Sequence, residues 1–150
     1  MVVLLAGCDQ GNRDERKFQQ ITCVNNLKQI GLSLRIWAGD HNDQYPFNTS
    51  TNTGGSMELC AVGEDGFDSN AYLHFQVMSN ELSTPLILIC PQDTTKKIAA
   101  DFGSLQSSNV TYLLRSGTNL IEGKPHEILV VCPIDGNVLY CDGTVVKKLK

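Results

Sequence analysis

The chain has 150 residues, 41% hydrophobic and 19% charged, the balance of one ordinary globular domain large enough to bury a core without staples. Its net charge of -4 leaves no basic footprint for nucleic acid, so nucleic acid is excluded as an expected partner. Six cysteines, at 8, 23, 60, 90, 132 and 141, are too few for a disulfide-dense miniprotein, and their meaning depends on the compartment.

Met1 to Gly7 is a short apolar run, and Leu5-Ala6-Gly7-Cys8 resembles a bacterial lipobox, in which the cysteine thiol is acylated and the preceding peptide removed. The run has no Lys or Arg ahead of it and is shorter than a usual signal core, both of which a start upstream of Met1 would explain. Seven apolar residues cannot span a bilayer, so the expectation is a protein anchored through lipid on Cys8 rather than one crossing the membrane. Residues 1–8 are thus read as a signal remnant, 9–17 as a polar tether and 18–150 as the folded domain.

From there Cys23, Leu27, Ile30, Leu34 and Trp37 recur at spacings of four and three, with Val24, Gly31 and Ala38 beside them. This is one apolar stripe of a helix expected to run from about Asn12 to Gly39, about 40 Å at the α-helical rise, with its first turns clear of the body. Gly39 and the Asp40-His41-Asn42-Asp43 run stop it, and Tyr45-Pro46 makes the exit extended. Asn48 to Ser56 and Gly63 to Asn70 read as loops, with Met57 to Cys60 a short strand or turn between them. Ala71 to Leu82 reads as a short second helix ended by Ser83-Thr84-Pro85.

Beyond Pro85 the period changes. Leu86 to Cys90, Val110 to Arg115, Glu127 to Cys132, Val138 to Cys141 and Thr144 to Leu149 read as strands, and Ala99 to Leu105 as a helical turn. Asp142-Gly143 marks a hairpin. Helix first and meander second give an α+β fold, a long N-terminal helix packed on a small antiparallel sheet.

Three long phrases, CVNNLKQIGLSLRIWAGDHNDQYP, HFQVMSNELSTP and ILICPQD, resemble the pseudopilin-like proteins of Verrucomicrobia and Planctomycetes, the prepilin-type or type II secretion G-like group. The resemblance covers nearly all of residues 20 to 145 and implies a pilin-like fold. Many such proteins end in His, nine residues, then Asp-Gly; here Asn137 to Gly143 reads NVLYCDG, and Cys132 stands at the histidine position. Their prepilin cleavage phrase and spanning helix have no counterpart here; Leu5 to Cys8 stand instead, so the expected form is a pseudopilin-like domain carried on a lipid. The resemblance implies a non-enzymatic envelope lipoprotein facing the periplasm or exterior, a structural or accessory component with protein partners in a type II secretion or pilus-like surface system. The alternative is a soluble periplasmic module that binds a ligand or metal through its cysteine-bearing sheet.

In an exported relative of these proteins, which carry both positions, Cys23 and Cys90 are the expected disulfide, with Cys60, Cys132 and Cys141 as further candidates of unassigned pairing. A zinc reading through Cys90, Cys132, Cys141 and His126 lacks the cysteine pairs at two to four residues that structural sites use, so neither metal nor cofactor is expected. Asp40, Asn42 and Asp43 are read as turn formers, and His41, His74 and His126 have no nucleophile motif around them, so catalysis is not expected.

Overall fold

The computed structural model describes residues 7–117, 120–121 and 124–147, with side chains from residue 10 onward. The apolar run before Gly7 and the Cys8 side chain, on which the lipid-anchor reading falls, lie outside the described residues.

Helix α1 runs Gly7–Gly39. The stripe reaches the core as its spacing demands: Cys23, Leu27, Ile30, Leu34, Trp37 and Ala38 are all buried, while residues 10–18 are exposed and stand clear of the body. The helix closes with His41 stacked flat on Trp37 at 3.5 Å between ring centroids, its Nδ1–H donating to the Trp37 carbonyl at 2.7 Å. Asn42 and Asp43 then take left-handed φ values of 57° and 58°, which short polar side chains tolerate, and turn the chain. Tyr45 is wholly buried and donates through its hydroxyl to the Cys141 carbonyl at 3.2 Å, tying the helix exit to the sheet.

The expected second helix is two, α2 (Ala71–Val77) and α3 (Ser79–Leu82), broken at Met78. The sheet is a four-stranded antiparallel meander of β1 (Leu113–Leu114), β2 (Ile128–Val131), β3 (Asn137–Tyr140) and β4 (Val145–Lys147), in that spatial order. Val131 pairs with both Leu113 and Val138, and a bulge between Ile128 and Val130 shifts the β2–β3 register. The Asp142-Gly143 turn joins β3 to β4, with Gly143 at φ 85°.

Two sequence expectations fail for local reasons. Leu86 to Cys90 is no strand: Pro85 opens a 3₁₀ turn over Pro85–Leu88, whose Leu86 N–H is met by the Thr84 hydroxyl. The polar groups that follow are met by side chains instead of a ladder, the Ile89 carbonyl by Asn26 at 3.1 Å and the Cys90 N–H by the Thr111 hydroxyl at 3.1 Å. The stretch from Ala99 to Leu105 holds bends and a turn without a helix, whereas Met57–Leu59, read as a strand or turn, is a 3₁₀ turn.

The helix meets the sheet most closely at Gly31. A methyl group there would stand 2.9 Å from Leu139 Cδ1, and Leu139 is fully buried on β3. Gly31→Val should therefore cost about 3 kcal/mol in urea denaturation, through overpacking against a closed core. Combined with Leu139→Ala it should cost less than the sum of the two single changes, because each removes the other's clash or void.

Candidate functional site

Two clusters of chemistry-bearing side chains lie under the helix and sheet, and the sequence brings neither together locally. The first gathers Cys23 from α1, Cys90 from the end of the 85–90 segment, and Cys132 and Asp135 from the β2–β3 turn, with their sulfur and carboxylate oxygen atoms all within 4.8 Å of one another. The three cysteines are wholly buried and Asp135 is 9% exposed.

Each member is held from its own element. Cys23 is on the helix stripe, half a helical length from either end. Cys90 is fixed by its N–H to Thr111 Oγ1, whose own hydroxyl donates to Asp93 Oδ2 at 2.8 Å. Cys132 directly follows β2, and its backbone closes a tight loop with Cys132 N–H to the Asn137 carbonyl at 2.8 Å and Gly136 N–H to the Cys132 carbonyl at 3.0 Å. Gly136 sits at φ 72°, where a side chain would be strained. This loop turns Asp135 back over Cys132, so that two ligating side chains three positions apart face one point.

The sulfurs are met by polar hydrogens. Asn137, buried at the start of β3, donates Nδ2–H to Cys23 Sγ at 3.3 Å, and the Asp135 N–H donates to Cys132 Sγ at 3.4 Å. The Cys90 thiol donates to Asp135 Oδ2 at 3.5 Å. Bonds from Cys23 and Cys90, with the Asp135 and Ile134 N–H groups, hold the Cys132 thiol below its ordinary range. Cys23 is raised chiefly because its proton serves Cys132, and Asp135 is raised by burial and by the sulfurs around it. Beside the cluster, a groove of about 450 Å³ lined by Lys17, Lys28, Lys147, Asn137 and Asp135 leads to solvent.

Among the described residues Cys23, Cys60, Cys90, Cys132 and Cys141 are unbridged, including Cys23 and Cys90, the pair expected as a disulfide. The two are adjacent, but they share their space with a third thiol and a carboxylate rather than facing each other alone. The further candidates part company: Cys132 joins this cluster, Cys60 the second one, and Cys141 neither. Cys141 N–H bonds to the Glu127 carbonyl, at the opposite end of the β2–β3 ladder from Cys132. His126 is exposed, so the quartet weighed for zinc from sequence is not assembled, whereas Cys23 and Asp135 complete one that the cysteine spacing did not reveal.

The second cluster is built on His74 of α2, which is 1% exposed. Its Nδ1 accepts from the Ser56 hydroxyl at 2.7 Å, and its Nε2–H donates to Asp68 Oδ2 at 2.9 Å, the tautomer that satisfies both partners. Ser116 donates to the same carboxylate oxygen, while Asp68 Oδ1 takes the N–H groups of Ala61 at 3.0 Å and Asn70 at 2.8 Å. Cys60 lies alongside, its thiol raised by burial. Burial works to raise Asp68, yet the Ser116, His74, Asn70 and Ala61 donors outweigh it and hold the carboxyl below its usual value. Burial lowers His74 against the pull of Asp68, so the ring is neutral. Sequence reasoning passed over this Ser-His-Asp arrangement because its members come from separate loops. Ser56 is wholly buried, which makes the group an internal brace of the 56–74 region rather than a nucleophile presented to a substrate.

No protein-family model, no curated protein and no solved structure matches this chain. Its class is therefore defined by the fold alone, an α+β domain with a long helix on a four-stranded antiparallel meander.

The brace sets a pH dependence. A histidine lowered on folding refuses a proton that the unfolded chain accepts, so stability falls as pH drops below about 6.5. Asp68, also lowered, keeps its contribution until pH falls below about 3.9, where a second loss begins. His74→Gln should cost about 3 kcal/mol at pH 7.5, since it leaves buried partners short of a hydrogen bond. The gap between wild type and this variant in chemical denaturation should narrow from pH 7.5 to pH 5; a constant gap would exclude a neutral buried His74.

Proposed function

We propose that this chain is a non-enzymatic, pseudopilin-like envelope protein carried on a lipid at Cys8, serving as a structural or accessory component of a type II secretion or surface system. The observation that supports it best is α1. One half of this helix is the spine of the core, and its first turns, residues 10–18, stand clear, with Phe18 70% exposed and Ile21 just beyond them 60% exposed. A helix that leaves the body in this way is suited to holding a domain off a membrane or to lying against a neighbouring protein. Among the described residues no helix is long and apolar enough to cross a membrane, so in this reading attachment depends on the acyl chain. The sealed Ser56–His74–Asp68 group supports a scaffold role over catalysis, because a buried serine has no path to a substrate.

Acylation is tested with the natural gene, its own upstream region included, expressed in a bacterial host fed radiolabelled palmitate. Label should enter the wild-type protein and fall to background in Cys8→Ala, with the variant moving from the membrane to the aqueous fraction. Equal labelling of the two would sink the lipid anchor.

A further inference from the structure

We propose that Cys23, Cys90, Cys132 and Asp135 form a closed tetrahedral site for a single zinc ion, which fastens α1 and the 85–90 segment to the β2–β3 turn. The case starts from the carboxylate. Asp135 points into three buried sulfurs, with its Oδ2 3.5 Å from Cys90 Sγ. Three sulfurs and a carboxylate oxygen converge on one buried point from three separate elements, and a cation at that point gives all four a common partner.

The geometry suits that cation. Zinc bonds thiolate sulfur at about 2.3 Å and carboxylate oxygen at about 2.0 Å, so a tetrahedron of such ligands has edges of about 3.5 to 3.8 Å. The four ligand atoms here lie within 4.8 Å of one another, with Cys90 Sγ and Asp135 Oδ2 at 3.5 Å. Three thiolates select a thiophilic metal, and the carboxylate with a closed four-ligand set favours zinc over copper(I). Cys132 and Asp135 are separated by two residues on a turn closed by Gly136, the spacing of paired ligands in structural zinc sites with aspartate in the second place.

The surroundings also favour a metal over a disulfide. Asn137 Nδ2 and the Asp135 N–H are aimed at Cys23 and Cys132 sulfurs, donors that a metal-bound thiolate uses and the uncharged sulfur of a disulfide scarcely does. Three thiols also leave one over when two are bridged. Three thiolates and a carboxylate around Zn²⁺ carry a net charge of -2, and Lys17, Lys28 and Lys147 line the groove that opens beside Asp135. On binding, the Cys23, Cys90 and Cys132 thiols release their protons to water, and each sulfur and the Asp135 carboxylate gives an electron pair to the ion; nothing is oxidised or reduced.

The site stands apart from the lipid anchor: Cys8→Ala leaves all four ligands in place, so the two proposals fail separately. The full chain, purified without chelators, is analysed for metals by mass spectrometry. About one zinc per chain is expected in wild type and in Cys141→Ser, whose sulfur lies outside the cluster, and less than about a tenth of that in Cys132→Ser. Because Cys132→Ser can also fail to fold, metal-stripped wild type is titrated with Co²⁺. The strong visible bands of tetrahedral cobalt and a thiolate-to-cobalt charge transfer should rise to an endpoint at one equivalent and be displaced by zinc, with Asp135→Asn binding at least about tenfold more weakly. Wild type that carries no metal and gives no cobalt bands overturns the proposal. So does iron in place of zinc, or a non-reducing alkylation mass showing Cys23 bridged to Cys90.

Discussion

The fold depends on burying one face of α1. Leu27, Ile30, Leu34 and Trp37 vanish beneath the sheet and the short helices, and burial of side chains of this size contributes about 2 kcal/mol each. The sheet cannot supply this by itself, since its strands are two to four residues long. A meander so short is marginal until a helix covers it. Gly31 sets how closely the cover fits, because only a residue without a side chain lets the helix axis approach Leu139. Helix and sheet are therefore one cooperative unit, and neither is a stable object without the other.

Where that cover runs out, side-chain hydrogen bonds take over. The 85–90 segment sits against α1 without joining the sheet, and Asn26, Thr84 and Thr111 replace the ladder it lacks. The loops between α1 and α2 are braced at Asp68 and His74, which tie together chain from Ser56, Ala61, Asn70 and Ser116. Such networks are rigid only while complete, because an unpaired member in a buried place is costly. The protein thus has two kinds of order: an apolar spine legible as a periodic pattern, and polar braces that exist only once the chain has folded.

This division explains what was legible in the sequence. The α1 stripe, the strand order and the Asp142-Gly143 hairpin follow from local period and turn chemistry, and the structure has them. Leu86 to Cys90 misleads because a continuous apolar run fits a buried strand and a buried turn equally, and the decision lay with Pro85 and with Thr111, which is 21 residues away from Cys90. The cysteine cluster was half legible. Cys23, Cys90 and Cys132 all stood out, yet pairing them two at a time hid their common meeting point. The spacing that would have found it was Cys132-Pro133-Ile134-Asp135, visible only if a carboxylate is admitted to the ligand set. Nothing local marked Ser56, Asp68, His74 and Ser116 as one group.

The thiol and carboxylate cluster occupies the place where these two kinds of order meet. Cys23 belongs to the apolar spine, Cys90 to the segment held by side chains, and Cys132 with Asp135 to the turn that begins β3. The contacts are distant in sequence: Cys90 and Asp135 are 45 positions apart and Cys23 and Asn137 are 114 apart. Tying chain together over such spans removes about 4 kcal/mol of conformational freedom from the unfolded state in the chain-entropy picture. That is a large share of the stability of a domain of this size. A metal held there would act on the weakest part of the architecture, the 85–90 segment that no strand secures. It would also leave the exposed first turns of α1 untouched.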